Sequence, residues 1–350
     1  MTRIVNCLLI NMFFTLTVVS QNDTIKTYYE NKQIQTEKFN NWETTGKGFY
    51  KEYYENGQLS MIKNYLDGKE DGVSKGYFEN GKLMYEIEYQ NDVKNGNSNV
   101  YYETGRIKCK EFFKDGLHSK EREEYYENGR VKSVTYYSNN DNNVVVNDYF
   151  DNELKTLYKE TMYLNNLLNG VQKTYYSNGK MKLETPWIND TLKGIEKQYD
   201  EQGLIMSTTT FSNNFVTGLK KEFYNNGKVK LEAFYLKDTI HGTEKMYFES
   251  GKLKVETQYY KGNINGFQKE YFANGILKRE GIYINGLLNG LEKSYFESGP
   301  ILLEENYSNG KLNGTQKIYY INGKVKFESV FVNGEQFGKT KAFDENGKLK

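Results

Sequence analysis

The pattern of apolar and polar positions along this chain repeats about every 24 residues. In almost every copy, two short runs that alternate apolar and polar residues flank a turn dipeptide, usually Asn-Gly. The turn glycines include Gly57, Gly81, Gly105, Gly179, Gly227, Gly251, Gly275 and Gly323. Alternation with a period of two predicts strands, and Asn-Gly between such runs predicts a type I′ turn with positive φ at both central residues. The sequence therefore predicts one β-hairpin in each copy.

The register of the hairpin follows from placing the turn dipeptide at its centre. In the copy that begins at Gly290, Phe296 then faces Ile301, Lys293 faces Glu304, and Gly290 faces Tyr307. The same rule places lysine opposite glutamate in seven copies, at Lys75–Glu86, Lys173–Glu184, Lys221–Glu232, Lys245–Glu256, Lys269–Glu280, Lys293–Glu304 and Lys317–Glu328. Such pairs contribute about 0.2–1 kcal/mol each. We expect them to fix register, and we expect the aromatic ring to cover the facing glycine.

Alternation also assigns side chains to two faces of the predicted sheet. One face carries Phe296, Ile301, Leu303 and Tyr307, and the other carries the lysines, the glutamates and a column of tyrosines. That column consists of Tyr77, Tyr101, Tyr175, Tyr199, Tyr247, Tyr271, Tyr295 and Tyr319. The column is a candidate binding surface for a protein or another ligand, because exposed aromatic side chains often bind partners. The alternative is that the tyrosines only pack a single-layer sheet.

The period predicts an all-β fold, an elongated single-layer antiparallel array of β-hairpins. With two strands in each copy, about 4.8 Å apart, the array would be on the order of 120 Å long, and we expect a monomer. The domains are a signal peptide at 1–20, a partial or capping repeat at 21–47, regular repeats at 48–143 and 170–350, and a degenerate repeat with a two-residue insertion at 144–169. We expect the degenerate repeat to be the weakest part of the array.

Composition and charge exclude several classes of partner. The net charge is +1, from 47 Lys and Arg against 46 Asp and Glu. Nucleic-acid binding needs a basic surface, so we expect no nucleic-acid partner. Binding to an anionic membrane surface is conceivable, but the charge does not support it.

The first twenty residues have the composition of a secretory signal. Arg3 is the only charge, residues 4–19 are largely apolar, and small residues precede Gln21. We expect an exported protein, in the periplasm, at the cell surface or secreted; an uncleaved anchor is the alternative. Cys7 is removed with the signal, so Cys109 remains alone and no intramolecular disulfide is possible.

Units of the Tyr-Phe-Glu-Asn-Gly-Lys-Leu type resemble the MORN repeat, in the variant form of the bacterial YwqK-like proteins. The units include residues 53–59, 77–83, 125–131, 175–181, 247–253 and 319–325. The resemblance implies an elongated, twisted β-ribbon with a groove, and a role in protein scaffolding or phospholipid binding. The antitoxin name used for that family implies a cytoplasmic toxin partner, although the signal peptide points to export.

The sequence offers no sign of catalysis or of a cofactor. His118 and His241 are expected in exposed loops, and Cys109 occupies a position that is apolar in other copies. The polar run 139–143 is expected to be a loop, with calcium binding as the less favoured alternative. The motifs of phosphate loops, zinc sites and nucleophile elbows do not occur. We therefore predict a non-enzymatic binding scaffold.

The sequence predicts an open sheet edge at its C-terminal end. The strand from Lys339 to Phe343 is followed by a turn and the start of one more strand. Open edges invite the addition of a strand from another chain. Lys339 and Lys341 carry charges that oppose such association, which favours a monomer, and docking of a partner strand is the alternative.

Overall fold

A computed structural model describes residues 24–41, 46–138 and 140–350. The predicted signal peptide, Cys7 and Asn139 lie outside the described residues. The chain divides into two compact units, Met1–Asn166 and Leu167–Lys350.

The first unit consists of fourteen described strands in antiparallel order. They are β1 (Thr24–Tyr28), β2 (Ile34–Asn41), β3 (Lys47–Tyr53), β4 (Leu59–Leu66), β5 (Lys69–Glu70), β6 (Gly72–Tyr77), β7 (Leu83–Gln90), β8 (Val93–Tyr101), β9 (Ile107–Lys114), β10 (Leu117–His118), β11 (Arg122–Tyr125), β12 (Val131–Ser138), β13 (Asn143–Tyr149) and β14 (Leu157–Leu164). The first pair, β1 and β2, forms a hairpin that belongs to the predicted capping repeat.

The second unit continues the same pattern with nineteen strands. They are β15 (Leu167–Leu168), β16 (Gly170–Tyr175), β17 (Met181–Ile188), β18 (Thr191–Leu192), β19 (Gly194–Tyr199), β20 (Ile205–Ser212), β21 (Phe215–Phe223), β22 (Val229–Leu236), β23 (Thr239–Tyr247), β24 (Leu253–Tyr260), β25 (Asn263–Tyr271), β26 (Leu277–Ile284), β27 (Leu287–Leu288), β28 (Gly290–Tyr295), β29 (Ile301–Ser308), β30 (Lys311–Leu312), β31 (Gly314–Tyr319), β32 (Val325–Val332) and β33 (Glu335–Ala342).

Every regular element in the described part of the chain is a strand. The pairings within each unit are antiparallel hairpins that follow one another along the chain. The predicted all-β hairpin array is therefore confirmed. Among the described residues, no helix is long and apolar enough to cross a membrane.

The turn that the sequence assigned to type I′ has a different geometry. The Gly299 N–H donates to the Phe296 carbonyl at 2.8 Å, and the Phe296 N–H donates to the Pro300 carbonyl at 2.8 Å. Only the glycine has positive φ there, which defines a three-residue loop ending in a left-handed glycine. The type I′ turn lies at the other end of the hairpin, for example at Asn285 (φ 51°) and Gly286 (φ 82°). The type I′ assignment of the Gly57 series is therefore wrong.

The three-residue loop changes the register next to it. A bulge between Ser294 and Tyr295 pairs Tyr295 with Ile301, so the prediction that Phe296 faces Ile301 is wrong. Beyond the bulge the predicted register holds, and all seven lysine–glutamate pairs face each other as predicted. The bulge also moves Ile301 onto the face that carries Tyr295, because directly paired residues share a face.

The second glycine of a copy pairs with an aromatic residue as predicted, and in some copies another side chain also lies close to it. Gly218 pairs with Tyr235, yet a Cβ on Gly218 would meet Thr210, whose Cγ2 would be 3.0 Å away. The same glycine has a φ of 119°. At Gly218, positive φ and the nearby Thr210 side chain therefore both favour glycine.

The buried centre of the sheet is built from small side chains. Ala233 is fully buried, and small polar residues hold the equivalent position in other copies: Thr135, Thr161, Thr185, Thr257 and Ser329. These residues alternate with the charged face, so they lie on the opposite face of the sheet. At these positions, therefore, small side chains rather than large aliphatic ones are shielded from water.

The degenerate copy accommodates its two extra residues in the turn. The Phe150 N–H donates to the Thr156 carbonyl at 2.9 Å, which closes a loop two residues longer than the regular one. Leu154 in this loop is 85% exposed. In the adjoining strand β13, the Oδ1 atom of Asn147 is buried without a hydrogen-bond partner. A buried unpaired polar atom costs about 1–3 kcal/mol, so this copy is expected to be less stable than its neighbours.

Limited proteolysis is expected to cut first between Asn139 and Thr161, with the exposed loop at Leu154 as the preferred position. Stability in repeat proteins depends on each copy and its neighbours, and this copy has a longer loop and a buried unpaired oxygen at Asn147. Mass spectrometry of the early fragments identifies the first cut, and the regular copies from Gly218 to Gly314 serve as the internal control. Earlier cleavage in those regular copies would contradict the prediction.

Candidate functional site

A row of alternating charges crosses the second unit from strand to strand. We call it the charged ladder, and it consists of Lys173, Glu184, Lys197, Thr208, Lys221, Glu232, Lys245, Glu256, Lys269, Glu280, Lys293, Glu304, Lys317, Glu328 and Lys341. Each glutamate therefore lies between two lysines. Glu328, for example, lies 4.0 Å from Lys317 and 2.9 Å from Lys341. These half-exposed pairs determine register more than they add stability.

The tyrosine column lies beside this ladder, and its hydroxyls bind the glutamates. Tyr247 donates to Glu232 at 2.7 Å, and Tyr295 donates to Glu280 at 2.7 Å. Tyr101 makes the same bond to Glu86 in the first unit, at 2.8 Å. All eight predicted tyrosines are half-buried. Where these bonds form, the hydroxyl has a structural role and the exposed part of the ring remains available for contact. The column as a binding surface stays a prediction.

These bonds shift the acidity of both partners. Burial and the bond to Glu232 raise the pKa of Tyr247 to about 12. The same bond, followed by the lysines on either side, lowers the pKa of Glu232. Tyr53, Tyr101 and Tyr319 have their pKa raised to about 12 for the same reasons, burial first. A hydrogen bond to a carboxylate favours the neutral phenol and the ionised acid together.

The tyrosine pKa values predict loss of stability in strong alkali. Because the folded pKa lies above the value of 10 for free tyrosine, the stabilisation is complete below pH 10 and is lost as the pH rises toward 12. Titration followed by tyrosinate absorbance and circular dichroism should show a group of tyrosines that ionise late, together with unfolding. The chain in concentrated urea is the control, in which all tyrosines should titrate near pH 10. Early titration of every tyrosine in the folded chain would refute the prediction.

A second aromatic position joins each copy to the next. The Tyr224 hydroxyl donates to the Tyr247 carbonyl at 2.7 Å, and the amide of the turn residue Asn226 donates to the Glu249 carbonyl at 3.0 Å. The Lys228 ammonium donates to the Ser250 carbonyl at 2.7 Å. The same bonds recur in other copies, for example from Tyr176, Asn178 and Lys180. The sequence analysis did not predict that these side chains join one copy to the next. Donor and acceptor are 22 or 23 residues apart, close to the period of 24.

An exposed apolar row lies on the same face as the charged ladder. We call it the apolar band, and it consists of Val171, Ile195, Leu219, Phe234, Ile282, Leu291 and Val330. Each member is two residues from a ladder residue, and alternation therefore places both on one face. Ile195 is 54% exposed and Ile282 is 53% exposed. Apolar side chains aligned in this way are typical of an interaction surface.

The first unit contains an asymmetric cluster around His118. The ring stacks on Tyr137 at a centroid distance of 3.8 Å, and Nδ1 lies 2.9 Å from Asp141. Glu111 lies 3.6 Å from Nε2 and also binds Arg122 at 2.8 Å. His118 is thus half-buried in β10, and His241 lies in β23. The expectation that both occupy exposed loops is wrong, because the type I′ turn is shorter than the loop assumed.

The cluster has the contacts of a packed structural group. Phe113 covers the other side of the histidine ring, with the centroids 4.6 Å apart, and Cys109 is buried as predicted. Asp141, from the polar run 139–143, binds His118 at the turn between two strands. Within the residues that the structure describes, no group of His, Cys, Asp and Glu side chains could hold a metal ion.

Comparison with known families gives one clear match. The family model described as MORN repeat variant matches residues 48–67, 70–91, 120–139, 168–189, 216–237, 240–261, 265–285, 288–311 and 312–333, more than half of the chain. The three longer gaps between these segments contain Asn99, Asn147 and Thr208, which stand opposite a charged residue where regular copies have a second charge. No curated protein matches the chain.

Solved structures give only a distant likeness. The crystal structures of TcdB2-TccC3 and of TcdB2-TccC3-Cdc42 align with 93% and 94% of this chain, at 10% and 9% identity and TM-scores of 0.17 and 0.16. The chain spans about a fifth of the length of those chains, 21% and 20%. Similarity at this level carries no conclusion about function.

Proposed function

The chain belongs to the MORN repeat variant family, and from that premise we propose that it is an exported, non-enzymatic scaffold that binds a protein partner along the face carrying the charged ladder. Repeats of this family generally act in binding rather than in catalysis. The observation that carries the proposal is the apolar band, whose members are exposed beside a row of charges that already neutralise one another.

The chemistry of this face favours a protein over a membrane or nucleic acid. The ladder alternates in sign on nearly every strand, so it presents no surface of one charge to phosphates. Tyrosine rings with their hydroxyls bound to glutamate offer rigid apolar contact beside the band. A partner that covers Leu219 and Phe234, which pair with each other, would gain burial without breaking the ladder.

Site-specific photo-crosslinking in the native cells tests this proposal. Crosslinking residues placed at Leu219 and at Ile282 should capture the same protein. Met246 provides the matched control, because it is 36% exposed against 40% for Leu219 and alternation places it on the opposite face. Capture of the same set of proteins from both faces, or of none from the apolar band, would show that this face is not the binding surface.

Export and the antitoxin alternative are separate proposals. We infer export from residues 1–20, and the mature protein is then expected to begin at Gln21 and to be found outside the cytoplasm. The antitoxin alternative instead requires the chain to relieve the toxicity of a co-expressed partner within the cytoplasm. Fractionation with N-terminal sequencing distinguishes the two.

A further inference from the structure

Three consecutive loops of the second unit form a basic surface in a chain whose net charge is close to zero. We call this surface the lysine edge, and it comprises residues 224–230, 248–254 and 272–278, which contain the three-residue loops and the residues beside them. These segments hold five lysines and a single acidic residue, Glu249. All five lysines are exposed: Lys228, Lys230, Lys252, Lys254 and Lys278.

Acidic loops bound the lysine edge on both sides. In the preceding copy, residues 200–206 contain Asp200 and Glu201 and no lysine, and in the following copy, residues 296–302 contain Glu297 and no lysine. Each copy contributes two strands about 4.8 Å apart, so three copies make the lysine edge about 30 Å long. The lysine edge is therefore a discrete surface of three copies rather than a property of the whole array.

Hydrogen bonds between successive loops hold two of the lysines in place. The Lys228 ammonium donates to the Ser250 carbonyl at 2.7 Å, and the Lys252 ammonium donates to the Asn274 carbonyl at 2.9 Å. Each ammonium is thus anchored on the loop of the next copy, and it keeps further N–H donors for a ligand. Groups that are fixed before binding lose less conformational entropy when a ligand arrives.

Aromatic rings of the loops hold two other lysines. The Lys254 ammonium lies 5.7 Å from the ring centroid of Phe248, and the Lys278 ammonium lies 6.0 Å from that of Phe272. Of the five lysines, only Lys278 forms an ion pair with a carboxylate in the part of the chain that the structure describes, with Glu270 at 2.8 Å. The other four lysines therefore leave positive charge for an anionic ligand.

The spacing of the lysines indicates which anion fits. Equivalent lysines recur once in each copy, or about every 10 Å. A linear polysaccharide with one carboxylate in each disaccharide carries its charges at a similar spacing, whereas each strand of DNA carries one charge about every 3.4 Å. A membrane presents a plane of charge, but the lysine edge is a line one loop wide.

The backbone of the loops offers little to an extended peptide. The carbonyls of Glu249 and Ser250 already accept from the side chains of Asn226 and Lys228. A peptide that binds as an added strand needs a row of free backbone groups. The lysine edge therefore presents side-chain donors to a ligand rather than a strand to be extended.

We propose that the lysine edge is a binding site for an acidic polysaccharide, a linear polymer with one carboxylate in each disaccharide, whose carboxylates pair with the lysines of successive copies. The exposed side chains of Asn225 and Ser250 lie in the same loops and provide hydrogen-bonding groups for sugar hydroxyls. The site lies on the loops and is separate from the apolar band, so it does not depend on the proposed protein partner.

Hyaluronan oligosaccharides test the proposal, because each disaccharide of hyaluronan carries one carboxylate. A fluorescent hexasaccharide should bind the full chain with a dissociation constant on the order of 100 μM in low salt by fluorescence anisotropy. Added salt should weaken binding, since it screens exposed charges. The gain in affinity from tetrasaccharide to hexasaccharide should exceed the gain from hexasaccharide to octasaccharide, because a fourth disaccharide would meet an acidic loop. A neutral dextran oligosaccharide should not bind.

Substitutions in the central copy make the test specific. Lys252→Ala with Lys254→Ala removes both lysines of that copy and should raise the dissociation constant at least about tenfold. Lys252→Arg with Lys254→Arg keeps both charges and should retain binding, since the guanidinium group also pairs with carboxylates.

The chain offers a matched control in another copy. Lys180 donates to the Gln202 carbonyl at 2.7 Å, and the Lys182 ammonium lies 5.4 Å from the ring centroid of Tyr176. These lysines therefore make the same contacts as Lys252 and Lys254, but the loop that follows them is acidic. Lys180→Ala with Lys182→Ala removes the same charge and should change the dissociation constant by less than about twofold.

Three results would overturn the proposal. They are no binding of the hexasaccharide, equal loss of binding in the two alanine variants, and affinity that keeps rising as steeply beyond the hexasaccharide. Tighter binding of a peptide with glutamate at every third residue would mean that a protein segment occupies the lysine edge, and binding only to phosphatidylserine vesicles would mean that a membrane does. Crosslinking at Leu219 is read out separately, so failure at the lysine edge and failure of the proposed function are distinguishable.

Discussion

Replacing Ala233 with leucine is expected to lower the free energy of unfolding of the second unit by about 3 kcal/mol. Ala233 is fully buried and lies between Lys220 and Glu244 on the neighbouring strands. Added methylene groups in a closely packed site force backbone shifts that typically cost about 1–3 kcal/mol. The upper end applies because Ala233 has no exposed surface into which a larger side chain could extend.

The effect should be localised, because repeats depend on their neighbours. Hydrogen exchange should show a loss of protection of about a hundredfold in β22 and the two strands beside it, since 1.4 kcal/mol corresponds to a factor of ten. Lys230→Leu introduces the same side chain at an exposed position of the same strand and should change little. Similar protection in both variants would mean that the small-residue centre is not closely packed.

The charged ladder could be predicted from the sequence because it depends only on strand alternation and on hairpin pairing. Lys293 faces Glu304 as predicted, and so do the equivalent residues in the other copies. Apart from the degenerate copy, the hairpins follow the same period of 24 residues, so one correct register specifies the others. The hydrophobic pattern and the period therefore contain enough information for the pairing away from the turns.

The turns could not be predicted because both ends of the hairpin carry the same kind of dipeptide. Asn274-Gly275 forms the three-residue loop, whereas Asn285-Gly286 forms the type I′ turn. The two geometries differ by one residue of loop length, and that difference is compensated by the bulge between Glu270 and Tyr271. Local sequence does not reveal a bulge, since it depends on how the following strand pairs.

The hydrogen bonds between successive copies were also not predicted from the sequence. The period of 24 residues aligns Tyr224 with Phe248, and it does not show that the Tyr224 hydroxyl reaches the carbonyl of Tyr247, the residue before. The same limit applies to His118, which forms a hydrogen bond with Asp141, 23 residues away. The alternation of residues was enough to place the tyrosines in one column and to suggest that the column binds a partner. The structure adds that several tyrosine hydroxyls donate to glutamate.

Replacing Gly266 with alanine is expected to destabilise the second unit by about 3 kcal/mol, more than the same change at Gly290. Both glycines have positive φ, 121° and 99°, and holding alanine there costs about 1–2 kcal/mol. At Gly266 the new Cβ would also lie 2.9 Å from the Cβ of Gln258, which cannot rotate away. The Gln258 amide oxygen would have to leave the Phe267 N–H that it accepts from at 3.2 Å.

Gly290→Ala is the matched control, because no side chain lies within 4 Å of the position of its Cβ. Denaturation of both variants followed by hydrogen exchange at β25 and β28 separates the backbone cost from the steric cost. The backbone cost is common to the two, so their difference measures the contact with Gln258. Equal destabilisation would mean that positive φ alone explains the glycine at this position of the repeat. A larger loss at Gly266 that shrinks when Gln258 is also changed to alanine would assign that part of the difference to the amide, since alanine removes the amide but keeps the Cβ that lies 2.9 Å away.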